Sequence, residues 1–119
     1  MLNANVFNAV GTWTRQQYPK TVSLGTLITN LTLDALLHQD VMATIGASLT
    51  INAPLNPDTG MALLVQFYAG GAYTLTWNAA FSSSNDATLP TTLTSGKTYY
   101  MQFRYDGTYW VLFGVVTRD

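Results

Sequence analysis

The sequence predicts an all-β fold: an antiparallel β-sandwich of the jelly-roll kind that follows an extended N-terminal arm. Short runs in which apolar and polar residues alternate recur along the chain, and turn residues separate them at short intervals. Helical periodicity is weak, since LDALLHQD fits one helical turn before alternation resumes at residues 41–45. We therefore expect several short strands that pack in two layers.

Four runs carry the alternation most clearly: SLTINA, MALLVQFY, YTLTWN and TYYMQFRY. In each, the odd-numbered residues are mainly apolar or aromatic and are expected to face the core, while the residues between them are mainly polar. Leu64 and Tyr68 depart from this pattern and make the second face of MALLVQFY partly apolar.

Glycine-containing turns predict how these strands connect. AGGA, with Gly70 and Gly71, predicts a tight hairpin with positive φ angles between 61–68 and 72–78. YDGT, with Asp106 and Gly107, predicts a second hairpin between 98–105 and 108–116. APLNPDTG predicts a rigid connection, and SSSNDATLP is the longest polar loop.

The last run, TYWVLFGVV, is apolar on both faces. Strand alternation places Trp110, Leu112 and Gly114 on the inner face. The opposite, outward face then presents a predicted subunit interface, which consists of Tyr109, Val111, Phe113 and Val115. An apolar outward face on a small domain predicts that another protein subunit covers it.

Composition excludes several classes of function. Only 9% of the 119 residues are charged, 48% are hydrophobic, and the net charge is −1 with five scattered basic residues. Nucleic acid is therefore not an expected partner, because phosphate binding needs clustered Lys and Arg. Cysteine is absent, and the sequence contains neither a signal-peptide pattern nor an 18-residue apolar run, so no membrane association is expected.

The sequence contains few residues that could act in catalysis, and we expect the chain not to be an enzyme. Its titratable acid–base candidates are six aspartates and one histidine, His38. His38 is interpreted as a solvated loop residue in preference to a base paired with Asp40. One histidine without cysteine cannot make a zinc site, and no cofactor or metal is expected.

The first residues differ from the rest, so residues 1–21 are assigned to an N-terminal arm and 22–119 to the sandwich domain. The segment has weak alternation and three Asn in its first eight residues. It fits either a disordered tail or an arm or swapped edge strand, and we favour the arm.

The order of strands and turns resembles a β-sandwich module of tailed-bacteriophage structural proteins. The shared pattern G-x-x-x-T-I-x-x-P-x-N-P-x-x-G matches Gly46 to Gly60, and T-x-T-W-x-x-A-F matches Thr74 to Phe81. LPTTLTSGK and the hairpin Y-D-G-T-x-W at Tyr105 to Trp110 follow in the same order. The likeness covers about residues 13–116, although the loop YAGGAY is shorter than usual for the family.

This resemblance implies a virion structural protein, and we favour a homotrimeric decoration (cement) protein on the outer capsid surface. The expected partners are then two further copies and the major capsid protein, and the expected location is the virion. The arm would contact the capsid or a sister subunit through Val6, Phe7, Trp13, Arg15 and Tyr18.

An alternative places the module at the tip of a tail fibre or spike, bound to host-surface glycan. Exposed Trp and Tyr, with Asn and Asp of loops 54–60 and 82–88, would then contact the sugar. Trp13, Trp110 and several tyrosines are candidates for either role, and we favour a subunit interface for them. A lectin or enzyme unrelated to phage is a third, less favoured hypothesis.

Overall fold

A computed structural model describes residues 21–119, and this part of the chain is all-β without a helix. The arm contacts predicted above, at Val6, Phe7, Trp13, Arg15 and Tyr18, lie outside the described residues. The eight strands are β1 (Val22–Leu27), β2 (Asp40–Ile45), β3 (Leu49–Ile51), β4 (Ala62–Ala69), β5 (Leu75–Trp77), β6 (Phe81–Ser82), β7 (Thr98–Tyr105) and β8 (Trp110–Arg118).

Two sheets contain these strands. The larger is a mixed, six-stranded sheet in the order β1-β2-β4-β7-β8-β6 that forms a half-barrel, and the smaller pairs β3 with β5. The predicted antiparallel pairing holds for β4, β7 and β8. It is wrong for the remaining pairs, since β1-β2, β2-β4, β3-β5 and β6-β8 are all parallel.

The parallel pairs β2-β4 and β3-β5 arise because the chain alternates between the two sheets. β2 and β4 are neighbours in the large sheet, and β3, between them in sequence, lies in the small sheet. β3 and β5 are neighbours in turn, with β4 between them in sequence. Isolated bridges extend the small sheet on both sides, through Leu31 to Ile51 and Thr74 to Thr92. A crossover through the other sheet supplies the long connection that parallel pairing needs.

One hydrophobic cluster joins the two sheets. It contains the inward residues of the large sheet, among them Phe67, Phe103 and Leu112, together with Ile51 and Leu75 of the small sheet. Phe67, Phe103, Ile51 and Leu75 follow the odd-numbered alternation predicted from the sequence, and Leu112 has the inward facing predicted for the last strand. The ring centroids of Trp77 and Phe103 are 5.8 Å apart, which places β5 against β7 across the core.

The hairpin predicted at YDGT is confirmed. β7 and β8 pair in antiparallel orientation, and Gly107 adopts the positive φ of 103° that only glycine tolerates easily. The carboxylate of Asp106 accepts hydrogen bonds from the N–H groups of Thr108 at 2.8 Å and Tyr109 at 2.7 Å. Asp therefore shapes this turn through its own backbone, as its type predicts.

The hairpin predicted at AGGA is wrong, because β4 and β5 belong to different sheets. Gly70 and Gly71 do not adopt positive φ angles. Because the two glycines have no side chain, neighbouring atoms can approach their backbone closely. A Cβ on Gly70 would lie 3.0 Å from the carbonyl oxygen of Ile45, and one on Gly71 would lie 2.9 Å from the Tyr73 ring. The two glycines let the chain leave the large sheet beside the end of β2.

Candidate functional site

The candidate site is the face of the large sheet that points away from the core, here called the outer face. It is formed by even-numbered residues of β2, β4 and β7 and by residues of β8, and several of its large apolar side chains are solvent-exposed. Their exposed fractions are 38% for Met42, 40% for Leu64, 45% for Tyr68, 55% for Phe113 and 65% for Val116. The partly apolar second face expected from Leu64 and Tyr68 is confirmed, and its exposed large apolar residues lie on three strands, β2, β4 and β8.

A β-bulge in β8 decides which of its residues reach the outer face. Gln102 pairs with Gly114 and Phe103 pairs with Leu112, so Phe113 has no partner on β7. A bulge inserts one residue and shifts the alternation beyond it. Phe113 and Gly114 therefore both lie on the outer side, where a Cβ on Gly114 would be 3.3 Å from the Gln102 amide oxygen.

The outward assignment of Val115 is consequently wrong, and so is the inward assignment of Gly114. Val115 pairs with Met101 and packs against the core, whereas Val116 takes the outer position. The expected facing of Val111 and Phe113 is confirmed: Val111 is half-buried and pairs with Arg104, and Phe113 is exposed. Tyr109 is 47% exposed at the hairpin. The glycine inside this strand, Gly114 of the FG pair, is the sequence signal that indicates such a bulge.

Two hollows lie on the outer face beside these apolar side chains. The first has a volume of about 220 Å³ and is lined by residues of β2, β4 and β7, which include Asp40, Leu64, Gln66, Tyr100 and Gln102. The second has a volume of about 350 Å³ and is lined by Arg104, Asp106, Val111 and Phe113. The face therefore has protruding apolar side chains and recesses within the same surface.

Charged side chains of both signs, Asp40, Arg104, Asp106 and Arg118, also lie at the outer face. The guanidinium of Arg118 donates from Nε to the Tyr100 hydroxyl oxygen at 3.2 Å. The hydrogen bonds that the Asp106 carboxylate accepts from the backbone of Tyr109 and Thr108 lower its pKa. Asp106 thus stays ionised at neutral pH and holds the turn beside the second hollow.

His38 has a structural contact that the sequence interpretation missed. Its Nδ1 accepts a hydrogen bond from the Asp34 N–H at 2.9 Å, across a turn in which the Leu37 and His38 N–H groups donate to the Asp34 carbonyl. The half-buried ring is thus part of a turn rather than a solvated loop residue. An acceptor role for Nδ1 requires the tautomer with its proton on Nε2.

The aromatic residues divide between core and surface. Trp110 is 1% exposed and cannot stack on a sugar ring, and Trp77 forms a T-shaped pair with Phe81 at a centroid distance of 5.0 Å. Tyr68, Tyr109 and Phe113 are the large aromatic side chains exposed in residues 21–119. Two of these three belong to the predicted interface set.

Residues 21–119 contain neither a metal-binding cluster of side chains nor a membrane-spanning helix. No group of three or more His, Cys, Asp or Glu side chains there is placed to hold a metal ion. The same part of the chain has no helix long and apolar enough to cross a membrane. Compared with protein-family models, curated proteins and solved structures, the chain matches none.

Proposed function

We propose that this chain is a phage virion structural protein, a homotrimeric decoration protein that binds the outer surface of the capsid. The observation that carries the proposal is the outer face, where large apolar residues are exposed on β2, β4 and β8 of one sheet. Several large apolar side chains exposed on one face of a small domain favour a protein interaction site. The phage-module resemblance of residues 13–116 supplies the biological setting.

The shape of the outer face favours a ring of subunits over a two-fold pair. Phe113 and Val116 protrude from β8, while the hollow beside Leu64 and Tyr100 lies over β4 and β7. A protruding group and a recess at different places on one surface suit a heterologous contact, which forms a closed ring where the rotation between neighbouring copies closes. A trimer is the smallest such ring and the state implied by the resemblance.

We also interpret the two layers as a β-sandwich of the jelly-roll kind. Both sheets contribute to a single buried cluster. Isolated bridges at Leu31 and Thr92 add one chain segment on each side of the β3-β5 pair, so the smaller sheet comprises four chain segments. This matches the two-layer architecture expected of the phage module. The parallel pairs distinguish the chain from an ordinary antiparallel sandwich.

Co-sedimentation with undecorated capsids tests the capsid role. The full chain is mixed with capsids, and the bound fraction is compared with that of Phe113→Asp. Three copies that engage together gain affinity from effective concentration, so a variant that disrupts the trimer binds capsids far more weakly. Leu37→Asp is the matched control, because Leu37 is 67% exposed and lies in the turn after Asp34 and not on a strand of the large sheet.

Saturable binding by the full chain and by Leu37→Asp, with much weaker binding by Phe113→Asp, supports the proposal. Equal binding by all three proteins contradicts the role given to the outer face. A full chain that remains in the supernatant at every concentration contradicts the capsid role itself.

A further inference from the structure

We propose that the small sheet carries a second binding site, a groove for neutral carbohydrate between β5 and the loop of residues 83–91. This site goes beyond the decoration function and is independent of it, because the groove lies on the other sheet from the outer face. It also differs from the sugar site expected from exposed Trp and Tyr, since it is built mainly from hydroxyl groups.

The exposed side of the small sheet presents ordered hydroxyl and amide groups. The side-chain amide of Asn52 donates to the Thr32 hydroxyl oxygen at 2.9 Å. The Thr74 N–H donates to the Ser48 hydroxyl oxygen, also at 2.9 Å. Parallel pairing of β3 and β5 places Thr50 beside Thr76, so threonine side chains are neighbours on the two strands.

The groove adjoins this surface and has a volume of about 520 Å³, within the usual range for small-ligand sites. Five hydroxyl-bearing residues line it, together with Leu75, Trp77 and Leu89: Thr74, Thr76, Ser83, Thr88 and Thr91. Ser83 Oγ accepts a hydrogen bond from the Leu89 N–H at 2.9 Å and fixes the loop. The four threonines of the lining are all solvent-exposed.

Trp77 supplies an apolar wall in a fixed orientation. Its indole Nε1–H donates to the Pro90 carbonyl oxygen at 2.7 Å, which ties β5 to the loop. The ring also packs against Phe81 and Phe103. The half-buried Leu89 adds a second apolar contact at the loop side. A wall that is already held in place costs little entropy when a ligand binds.

The chemistry of the lining favours a neutral sugar. A threonine hydroxyl both donates and accepts, as does each hydroxyl of a sugar, so the two can exchange hydrogen bonds in either sense. The lining contains no Lys, Arg, Asp or Glu, and therefore no group to neutralise a sialic or uronic acid. An apolar wall beside polar groups matches the mixed faces of a hexose ring.

The test begins with the full chain on a printed array of neutral hexose oligosaccharides and of sialylated or uronic-acid oligosaccharides. The neutral oligosaccharide with the strongest signal is then titrated by calorimetry against three proteins. These are the full chain, the double variant Thr74→Val with Thr76→Val, and Thr117→Val as the control. Valine keeps the shape and strand preference of threonine while removing the hydroxyl, and Thr117 is an exposed strand residue on β8.

We expect binding to neutral oligosaccharides only, about tenfold or more weaker in the double variant because two hydrogen bonds are lost, and unchanged in Thr117→Val. If the double variant fails to fold by circular dichroism, Thr88→Val with Thr91→Val in the loop replaces it. An array without neutral hits, hits on acidic sugars alone, or equal affinity in folded groove variants overturns the proposal.

Discussion

Val115 pairs with Met101 across β7 and β8, and its side chain packs against the core. Uninterrupted alternation from the buried Trp110 would have put Val115 on the opposite face. The unpaired Phe113 produces the change, because it adds one residue to β8 without adding one to β7. A single bulge therefore determines which valine stabilises the fold and which is available to a partner.

Two adjacent substitutions separate these roles. Val115→Asp places a charge against the core, and we expect it to lower the free energy of unfolding by about 2 kcal/mol. Val116→Asp adds a charge at a position that is 65% exposed, so the domain remains folded and only self-association weakens. Urea denaturation and light scattering on both variants check this. If Val116→Asp were less stable than Val115→Asp, the result would contradict the bulge.

The turn at Asp106 predicts a pH dependence. Backbone hydrogen bonds lower the pKa of Asp106 in the folded protein, so its stabilising contribution is present above the ordinary aspartate pKa of about 4. It is lost as the pH falls through the lowered value. Thermal melts between pH 7 and pH 2 should show Asp106→Asn less stable than the native protein at pH 7, with the difference vanishing in acid. If the difference in stability between the two proteins stayed constant across this range, the ionised carboxylate of Asp106 would not be its cause.

Gly70 is predicted to resist substitution because of close packing rather than backbone conformation. A Cβ at this position would lie 3.0 Å from the Ile45 carbonyl oxygen, a backbone atom that cannot turn aside. We expect Gly70→Ala to cost about 1–3 kcal/mol of unfolding free energy. Gly114→Ala is the control, since its neighbour at 3.3 Å is the end of the flexible, exposed Gln102 side chain. Equal effects in the two variants would exclude this explanation.

His38 is predicted to contribute to stability through its bond to the backbone. His38→Ala leaves the Asp34 N–H without its acceptor, and we expect a loss of about 1 kcal/mol. Leu37→Ala, one residue earlier and 67% exposed, should change stability by less than about 0.5 kcal/mol. Chemical denaturation of both variants measures the difference, and an unaffected His38→Ala would show that the contact is unimportant.

Side-chain alternation was a sufficient guide to the inward faces of β3, β4, β5 and β7. Each face is a local property of period two, and the buried residues follow it closely. Which strand pairs with which is not local. Glycines in AGGA are equally suited to a hairpin and to a close crossing, and only the position of Ile45 distinguishes the two. The parallel pairs were missed for this reason.

The candidate interface was predicted only in part for a related reason. Tyr109, Val111 and Phe113 precede the shift of register, and their exposure or facing agrees with simple alternation. Val115 follows the bulge and does not. Met42 belongs to the same surface only because β2 pairs with β4, a long-range contact that no pattern within β2 can reveal.

The mass of the full chain in solution tests the central claim most directly, because the outer face is proposed to be covered by neighbouring copies. Multi-angle light scattering over a range of micromolar concentrations should give about 39 kDa, three times the 13.0 kDa of one chain. Phe113→Asp and Val116→Asp should shift this mass toward 13.0 kDa, whereas Leu37→Asp should leave it unchanged. A mass of 13.0 kDa for the unaltered chain at every concentration would contradict the account.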